Sequence, residues 1–187
     1  DELATSIRLW LNMGDTAHVK HIRALVDSPN RPEGFAVGDG LGSSEMGWGA
    51  FRHRIHRDDH PQPRCIGKPA PGTSALILTP DGQPVPDGQP GHLAVASAHV
   101  APGYWNDETR YWAERRGEYF VTGDIAVRDL NGDYFHLDRH TDVIDPEEGI
   151  YSLVLEENLI DSHLEILDAS VFADRATGEV TAAIRFF

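Results

Sequence analysis

The chain has 187 residues, of which 40% are hydrophobic and 25% charged, a composition typical of a globular protein with enough length for a core. The net charge is -14, from 30 acidic and 16 basic residues, and it disfavours a general affinity for nucleic acid or anionic membranes. The only cysteine, Cys65, excludes an intrachain disulfide and favours a reducing compartment, so we expect a cytoplasmic protein. No apolar stretch approaches the length of a membrane span, and the first residues do not resemble a signal peptide.

Both ends of the chain suggest that it is a piece of a longer polypeptide. The first residue is Asp rather than Met, and the segment 180–187 has the pattern of a strand that is still apolar where it stops. Apolar strands are normally continued or covered, because an open edge invites aggregation.

The N-terminal region predicts one strand-loop-helix unit. Residues 6–11 form an apolar run of strand length, and residues 12–16 read as a loop. Apolar residues then recur at helical spacing over 17–26, with Asp15 or Thr16 as the cap. After a turn over 28–34, a short apolar stretch spans 35–37.

The glycine-rich stretch 38–47 is predicted to be a loop. Successive backbone N–H groups in such a loop can form an anion-binding concavity, in which Ser44 could donate to a phosphate oxygen. Glu45 could hold Mg²⁺ directly or through water. The alternative is a flexible loop with a solvated Glu45, because a glycine-rich stretch alone is weak evidence for a site.

Residues 51–64 contain three histidines, His53, His56 and His60, at spacings that suggest a metal site at first sight. They match no standard zinc pattern and have no cysteine partner nearby, so a solvated loop is the favoured interpretation.

From residue 66 onward the pattern changes to short strands separated by turns, which indicates a small sheet or open barrel. We predict strands at 73–79 and 92–96, joined by turns with Asp-Gly signatures. A helix is predicted at 106–116, with Asn106 as its cap. A further helix at 153–160 and strands at 166–173 and 180–187 complete the assignment.

Residues 119–142 predict a hairpin that brings two distant charges together. The Asn131-Gly132 turn between apolar stretches is a strong hairpin signal. Asp124 follows Gly123, where glycine permits an unusual backbone angle, and its carboxylate could accept two hydrogen bonds from a ribose diol. Arg139 offers a planar fork for phosphate or ribose oxygens. In the alternative reading, Asp124 caps a turn and Arg139 pairs with Asp138 or Asp142.

Taken in order, these segments resemble the AMP-forming acyl and aryl CoA ligases, which include peptide synthetase adenylation domains and luciferases. Residues 40–45 are similar to the family's Tyr-Gly-x-Thr-Glu loop, and residues 66–69 with 81–93 to its Gly-x-Pro and Gly-Glu-x-Gly-Glu-Leu region. Residues 103–106 match Gly-Tyr-x-Asn, residues 122–124 are identical to Thr-Gly-Asp, and residues 138–142 are similar to Gly-Arg-x-Asp-Asp.

The resemblance implies a fold, a division into domains and a reaction. It implies an α+β fold, in which residues 1–138 form the β-rich, distorted barrel-like end of a large adenylate-forming domain. Residues 139–187 would be the hinge and the start of a small α+β domain. The reaction would use ATP, through AMP, with Mg²⁺ to activate a small carboxylic acid, a fatty or aryl acid, and pass the acyl group to a thiol of coenzyme A or of a phosphopantetheine carrier protein.

The resemblance also implies roles for individual residues. Ser44 would touch the phosphate and Glu45 would serve Mg²⁺, while Asp124 would bind the ribose hydroxyls and Arg139 the ribose or phosphate. Thr141 would lie at the hinge. Residues lining the adenine and acyl pocket would be Asp39, Gly40, Leu41, Gly42 and Ser43, and Gly14 with Asp15 would lie at an adenine-side loop.

Five departures from the family pattern limit what the chain is expected to do alone. Leu41 replaces a tyrosine that stacks on adenine, Asp138 replaces a frequent glycine, and residues 143–149 lack a lysine-containing stretch. The family's phosphate loop and late catalytic lysine are absent from these 187 residues. A catalytically incomplete remnant, acting as a nucleotide-binding or protein-interaction module, is therefore the alternative.

Overall fold

A computed structural model describes residues 6–12, 14, 16–174 and 176–187. In these ranges the helices are α1 (Val19–Val26), α2 (Glu108–Ala113) and α3 (Ser152–Ser162). The strands are β1 (Leu9–Leu11), β2 (Ala36–Ser43), β3 (Gly47–Ile55), β4 (Cys65–Pro69), β5 (Thr73–Leu78), β6 (Gly91–Ser97), β7 (Arg115–Arg116), β8 (Tyr119–Arg128), β9 (Tyr134–Arg139), β10 (Ile166–Ala173) and β11 (Val180–Phe186). The helices within these ranges are all too short or too polar to span a bilayer.

One open sheet dominates the fold. Its strands run in the order β1-β2-β3-β4-β9-β8-β6-β5, with β7 paired to β8. β10 and β11 form a separate antiparallel pair. The predicted mixed, strand-rich α+β class is confirmed, and the sheet stays open because β1 and β5 end it on opposite sides.

The stretch predicted as a glycine-rich loop is mostly strand β2, so that prediction is wrong. Successive N–H groups of a strand point in opposite directions and cannot line one concavity. The glycines serve a close approach instead, because a Cβ on Gly40 would lie 2.0 Å from the carbonyl oxygen of Phe51 in β3. Only the turn over residues 44–46 separates the two strands.

Several local assignments also need correction. Residues 51–55 belong to β3 rather than to a solvated loop, and His53 lies in that strand. Helix α2 is capped by Asp107, whose side chain accepts from the backbone N–H of Arg110, and not by Asn106. Among the described residues no three His, Cys, Asp or Glu side chains form a group that could hold a metal ion.

Helix α1 packs on the sheet through Ile22 and Val26, as its periodicity predicts. Its first turn is not capped by Thr16, and Asp15 lies outside the described residues. Glu157 of α3 takes the capping role: its carboxylate accepts from the backbone N–H of Val19 at 3.0 Å and lies 2.6 Å from Nδ1 of His18.

A second polar contact joins the same two helices. The ammonium group of Lys20 in α1 donates to the carbonyl oxygens of His163, Leu164 and Ile166, just beyond the end of α3. A positive charge just beyond the C-terminal end of a helix also complements the helix dipole. The C-terminal segment is thus attached to α1 at two places, the middle of α3 and the residues just beyond its end.

The close approach at Gly40 can be tested by substitution. Gly40→Ala should lower the free energy of unfolding by about 2 kcal/mol or more, because backbone atoms of β3 must move away. Gly38→Ala is the matched control, since the one atom its Cβ would approach too closely is the terminal Cδ2 of exposed Leu11, which can rotate. Equal urea-unfolding midpoints for the two variants would contradict this explanation of the glycine pattern.

The contact between His18 and Glu157 should make stability depend on pH. The hydrogen bond to Glu157 raises the pKa of His18 above 6.5, although burial opposes it. Burial raises the pKa of Glu157, but the hydrogen bonds from His18 and Val19 outweigh it, so that the pKa lies below 4.5. The His18 contribution is complete below pH 6.5 and is lost as the pH rises through the raised pKa, whereas that of Glu157 is lost as the pH falls below 4.5.

Urea unfolding of His18→Asn should therefore show a loss of roughly 1.5 to 3 kcal/mol near pH 5.5, the usual range for a charged hydrogen bond, and a smaller loss at pH 8.5. His21→Asn is the control, because burial lowers the pKa of His21 and its pH dependence has the opposite sign. A His18→Asn loss that is the same at both pH values would contradict the ion pair.

Candidate functional site

The hairpin of β8 and β9 places Asp124 directly opposite Arg139. The turn between the strands contains Asn131 and Gly132, as predicted, and Gly132 has a φ of 81°. Gly123 has a φ of 83°, which confirms the unusual backbone angle expected before Asp124. The Arg139 guanidinium lies 3.0 Å from the Asp124 carboxylate, so its partner is Asp124 and not Asp138 or Asp142.

Asp124 is completely buried, whereas about half of the Arg139 side chain is exposed. Oδ1 of Asp124 lies 3.0 Å from Nη1 of Arg139 and 3.2 Å from Nε2 of His136. Neither contact is aligned as a hydrogen bond, and no described residue donates one to either carboxylate oxygen. A buried carboxylate with acceptor capacity left over is unusual in a folded protein and suits a ligand that brings hydroxyl donors.

Two residues that sequence reasoning missed lie behind Asp124: His136 is next to its carboxylate, and Arg64 contacts His136. Nη2 of Arg64 lies 2.9 Å from Nδ1 of His136, and Nε of Arg64 donates to the His136 carbonyl oxygen at 3.1 Å. Because a guanidinium can only donate, Nδ1 must be the acceptor and Nε2 carries the proton that faces Asp124. The two residues are 72 positions apart, so no local motif could have indicated them.

Asp138 fixes the segment that follows the hairpin. Its carboxylate accepts from the backbone N–H and the hydroxyl of Ser152, at 2.6 and 3.0 Å, and so satisfies the start of α3. It also accepts from the backbone N–H of Arg139 at 2.8 Å. This acid therefore has a structural role at the position where the resemblance leads one to expect glycine.

The turn between β2 and β3 presents Ser44 and Glu45. The Ser43 hydroxyl oxygen accepts from the backbone N–H groups of Glu45 and Met46 and shapes the turn. The hydroxyl of Tyr104 donates to Oε1 of Glu45 at 2.9 Å. The guanidinium of Arg110 lies over the Tyr104 ring, 4.8 Å from its centre.

These contacts favour an ionised Glu45. Burial raises the pKa of Glu45, but the hydrogen bonds from Tyr104, its own backbone and Ser43, together with the charge of Arg110, outweigh it, so that the pKa lies below its ordinary value. The carboxylate offers hard oxygen ligands beside an open cavity, which fits Mg²⁺ held by one carboxylate, phosphate oxygens and water.

Three cavities meet around these residues. The glycine-strand cavity, of about 840 Å³, is lined by Gly38 to Ser44, apart from Asp39, and by residues of β1 and β3. The Glu45 cavity, of about 590 Å³, is lined by Glu45, Tyr104, Arg110, Arg139 and Thr141, among others. The junction cavity, of about 510 Å³, lies between β9, α3 and β10.

Shared residues connect these cavities. Leu41 and Gly14 line both the glycine-strand and the junction cavities, and Ser43 lines both the glycine-strand and the Glu45 cavities. Arg139 and Thr141 line both the Glu45 and the junction cavities. The three cavities are therefore next to one another, with Arg139 and strand β2 at their borders.

Most of the residues predicted to form the site border this space. Gly40, Leu41, Gly42, Ser43 and Ser44 line the glycine-strand cavity, and Glu45 and Arg139 line the Glu45 cavity. Asp124 lines none of the three and lies behind Arg139.

Asp39 is also turned away from the cavities. Its carboxylate accepts from Nδ2 of Asn12 at 2.8 Å and from the backbone N–H of Ala17, so it ties the loop before α1 to β2. This gives Asp39 a structural role instead of the pocket-lining role expected.

The comparisons with known proteins assign this fold to the AMP-binding enzymes. The family model for AMP-binding enzyme matches residues 1–105, and the chain belongs to that family. This confirms the resemblance to AMP-forming ligases inferred from the motifs.

Three similar proteins extend this result. A 3-aminoavenalumate diazotase from Streptomyces sp is 40% identical over 89% of this chain and 32% of its own length. The amide bond synthetase McbA from Marinactinospora thermotolerans has a TM-score of 0.80 and 26% identity, over 95% of this chain and 36% of that one. O-succinylbenzoate Coenzyme A Synthetase from Bacillus subtilis, in complex with ATP and magnesium ion, has a TM-score of 0.78 and 25% identity, over 97% of this chain and 37% of that one.

The chain spans about a third of the length of the curated relatives it matches first. Further relatives are named as an acyl-CoA ligase, an acetyl-coenzyme A synthetase and a 4-hydroxybenzoate-CoA/benzoate-CoA ligase.

Proposed function

We propose that this chain forms the nucleotide-binding part of an enzyme that activates a carboxylic acid as an acyl adenylate. A carboxylate oxygen of the acid attacks the α-phosphorus of ATP, the bond to the bridging oxygen breaks, and pyrophosphate leaves. The observation that carries the proposal is the Asp124–Arg139 pair beside the point where the Glu45 and junction cavities meet. The relatives named as acid-CoA ligases support it.

Each part of the nucleotide has a place in this proposal. Adenine lies against Leu41 and Gly14, which supply apolar contact without a stacking ring. The ribose hydroxyls donate to Asp124, and Arg139 turns from Asp124 toward the ribose or the phosphate. Ser44 and the ionised Glu45 face the phosphates, and magnesium held by Glu45 would neutralise part of their charge. The acyl group lies along the β2 glycines, where the small residues leave room.

We further propose that the acyl group passes to a thiol, of coenzyme A or of a carrier protein. The division at residue 138, with a hinge at Thr141, belongs to the same proposal. It is supported by the end of β9 at Arg139 and the turn closed by the backbone N–H of Asp142 and the carbonyl oxygen of Arg139. The alternative, a nucleotide-binding or protein-interaction module that does not complete the reaction, predicts nucleotide binding or protein binding without turnover.

A second candidate reaction is suggested by the diazotase, which is 40% identical to this chain. A diazo group takes its second nitrogen from a donor at the oxidation level of nitrite. Nitrite, like a carboxylate, presents an oxygen anion that can attack a phosphate. In that case an aryl amine would replace the thiol as the acceptor, while Asp124, Arg139 and Glu45 would keep their roles.

The ribose role of Asp124 is tested by calorimetric titration with AMP. Asp124→Asn should weaken AMP binding by roughly 10- to 100-fold, because hydrogen bonds to a charged acceptor are worth about 1.5 to 3 kcal/mol. Arg139→Lys should also weaken binding, since lysine has no planar fork.

The control for Asp124→Asn is Asp133→Asn, which removes a carboxylate of the same hairpin that lies 3.9 Å from Lys68 and lines none of the three cavities. Unchanged AMP affinity in Asp124→Asn would rule out the ribose role.

The reaction itself is tested by exchange of labelled pyrophosphate into ATP with the purified full-length protein that contains this chain. We expect exchange that depends on Mg²⁺ and on a carboxylic acid from a panel of benzoates, fatty acids and acetate. Exchange that depends on nitrite alone would favour the diazotase-like reaction. Nucleotide binding without exchange for any acid or nitrite would contradict both reactions and favour the incomplete module.

A further inference from the structure

Tyr104 is a residue of the Glu45 cavity to which the proposed reaction has given no role. It comes from the Gly-Tyr-x-Asn segment after β6, 59 residues from Glu45 in sequence. Its hydroxyl donates to Oε1 of Glu45 at 2.9 Å, and the guanidinium of Arg110 lies over its ring. Glu45, Tyr104 and Arg110 all line the Glu45 cavity together with Arg139.

We propose that Tyr104 is a positioning residue, whose hydroxyl fixes the Glu45 carboxylate and whose ring fixes Arg110, so that both face the magnesium-bound phosphates of ATP. This inference rests on the proposed adenylation and assigns a role to a side chain outside the residues that contact the nucleotide in that proposal.

The Glu45 carboxylate needs such a partner because of where it lies. Glu45 is in the tight turn between β2 and β3, and a glutamate side chain that is not held loses up to about 2 kcal/mol of rotamer entropy when it is fixed. Mg²⁺ requires near-ideal octahedral geometry, and groups that orient its ligands contribute to affinity. A hydroxyl donor that holds one carboxylate oxygen reduces this cost before ATP arrives.

The ring of Tyr104 has a second effect. A guanidinium over an aromatic face is held by the ring quadrupole without losing its outward N–H groups. The donors of Arg110 therefore remain available to phosphate oxygens in a chain whose net charge is -14 and would otherwise repel them. Glu114 also lines the cavity, so the positive charge of Arg110, Arg116 and Arg139 is only partly offset there.

The test is Tyr104→Phe, which removes only the hydroxyl and keeps the ring under Arg110. ATP affinity in Mg²⁺ should fall roughly 3- to 10-fold, the effect of one hydrogen bond to a charged group at a partly exposed site. AMP affinity in EDTA should not change, because AMP relies on Asp124 and Arg139. If Tyr104 had a purely structural role, Tyr104→Phe would lower both the ATP affinity in Mg²⁺ and the AMP affinity in EDTA, or neither of them.

Two further variants make the assignment sharper. Tyr134→Phe is the matched control, because it removes a tyrosine hydroxyl that donates to the Ala75 carbonyl oxygen and lines none of the three cavities. In a Glu45→Gln background, Tyr104→Phe should have little further effect on ATP affinity, since the hydroxyl acts through the carboxylate.

The outcomes separate this inference from the proposed function. If the unsubstituted protein binds ATP with Mg²⁺ and Tyr104→Phe binds it equally well, the positioning role is wrong, but the proposed nucleotide site is not contradicted. A loss that is the same with and without Glu45 would also overturn the role. If the unsubstituted protein binds neither ATP nor AMP, the proposed function is wrong and this inference is wrong with it.

Discussion

The structure depends on keeping one buried carboxylate, that of Asp124, compensated by positive charge. A fully buried acid is costly unless cations or donors surround it. Arg139 faces Asp124 from the neighbouring strand, and His136, oriented by Arg64, approaches it from the other side. The antiparallel pairing of β8 and β9 sets this arrangement, because it makes Asp124 and Arg139 direct neighbours. Arg139, the exposed member of the pair, lines the Glu45 and junction cavities.

The second constraint is the close pairing of β2 and β3. The glycines at positions 40 and 42 let β3 approach to distances at which any side chain would collide with its backbone. The turn that joins these strands then holds Ser44 and Glu45 at the edge of the cavities, where Ala101 donates its N–H to the Glu45 carbonyl oxygen. Glycine thus serves here to position a turn rather than to cradle an anion.

The sequence predicted the features that depend on neighbouring residues and missed those that depend on residues far apart in the chain. The hairpin, the packing of α1 and the ends of β10 were predictable, because Asn-Gly turns and apolar periodicity are local. The prediction of a loop at 38–47 was wrong because a run of glycines is compatible with a loop and with a closely paired strand. The close approach of Phe51, which distinguishes the two, cannot be seen from residues 38–47 alone. Arg64, His136 and Tyr104 act on partners 59 to 72 positions away, and only the folded chain brings them together.

The exposure of Arg139 and the burial of Asp124 together suggest how a nucleotide could enter without leaving a bare buried charge. Arg139 is half exposed and can turn outward at little cost in packing, whereas Asp124 is fully buried in β8, directly opposite Arg139 of β9. In the proposed function, a ribose that donates its hydroxyls to Asp124 would replace the contact that Arg139 gives up, and the released guanidinium would gain phosphate oxygens in return. The proposal therefore places the movement in the exposed Arg139 rather than in the buried Asp124.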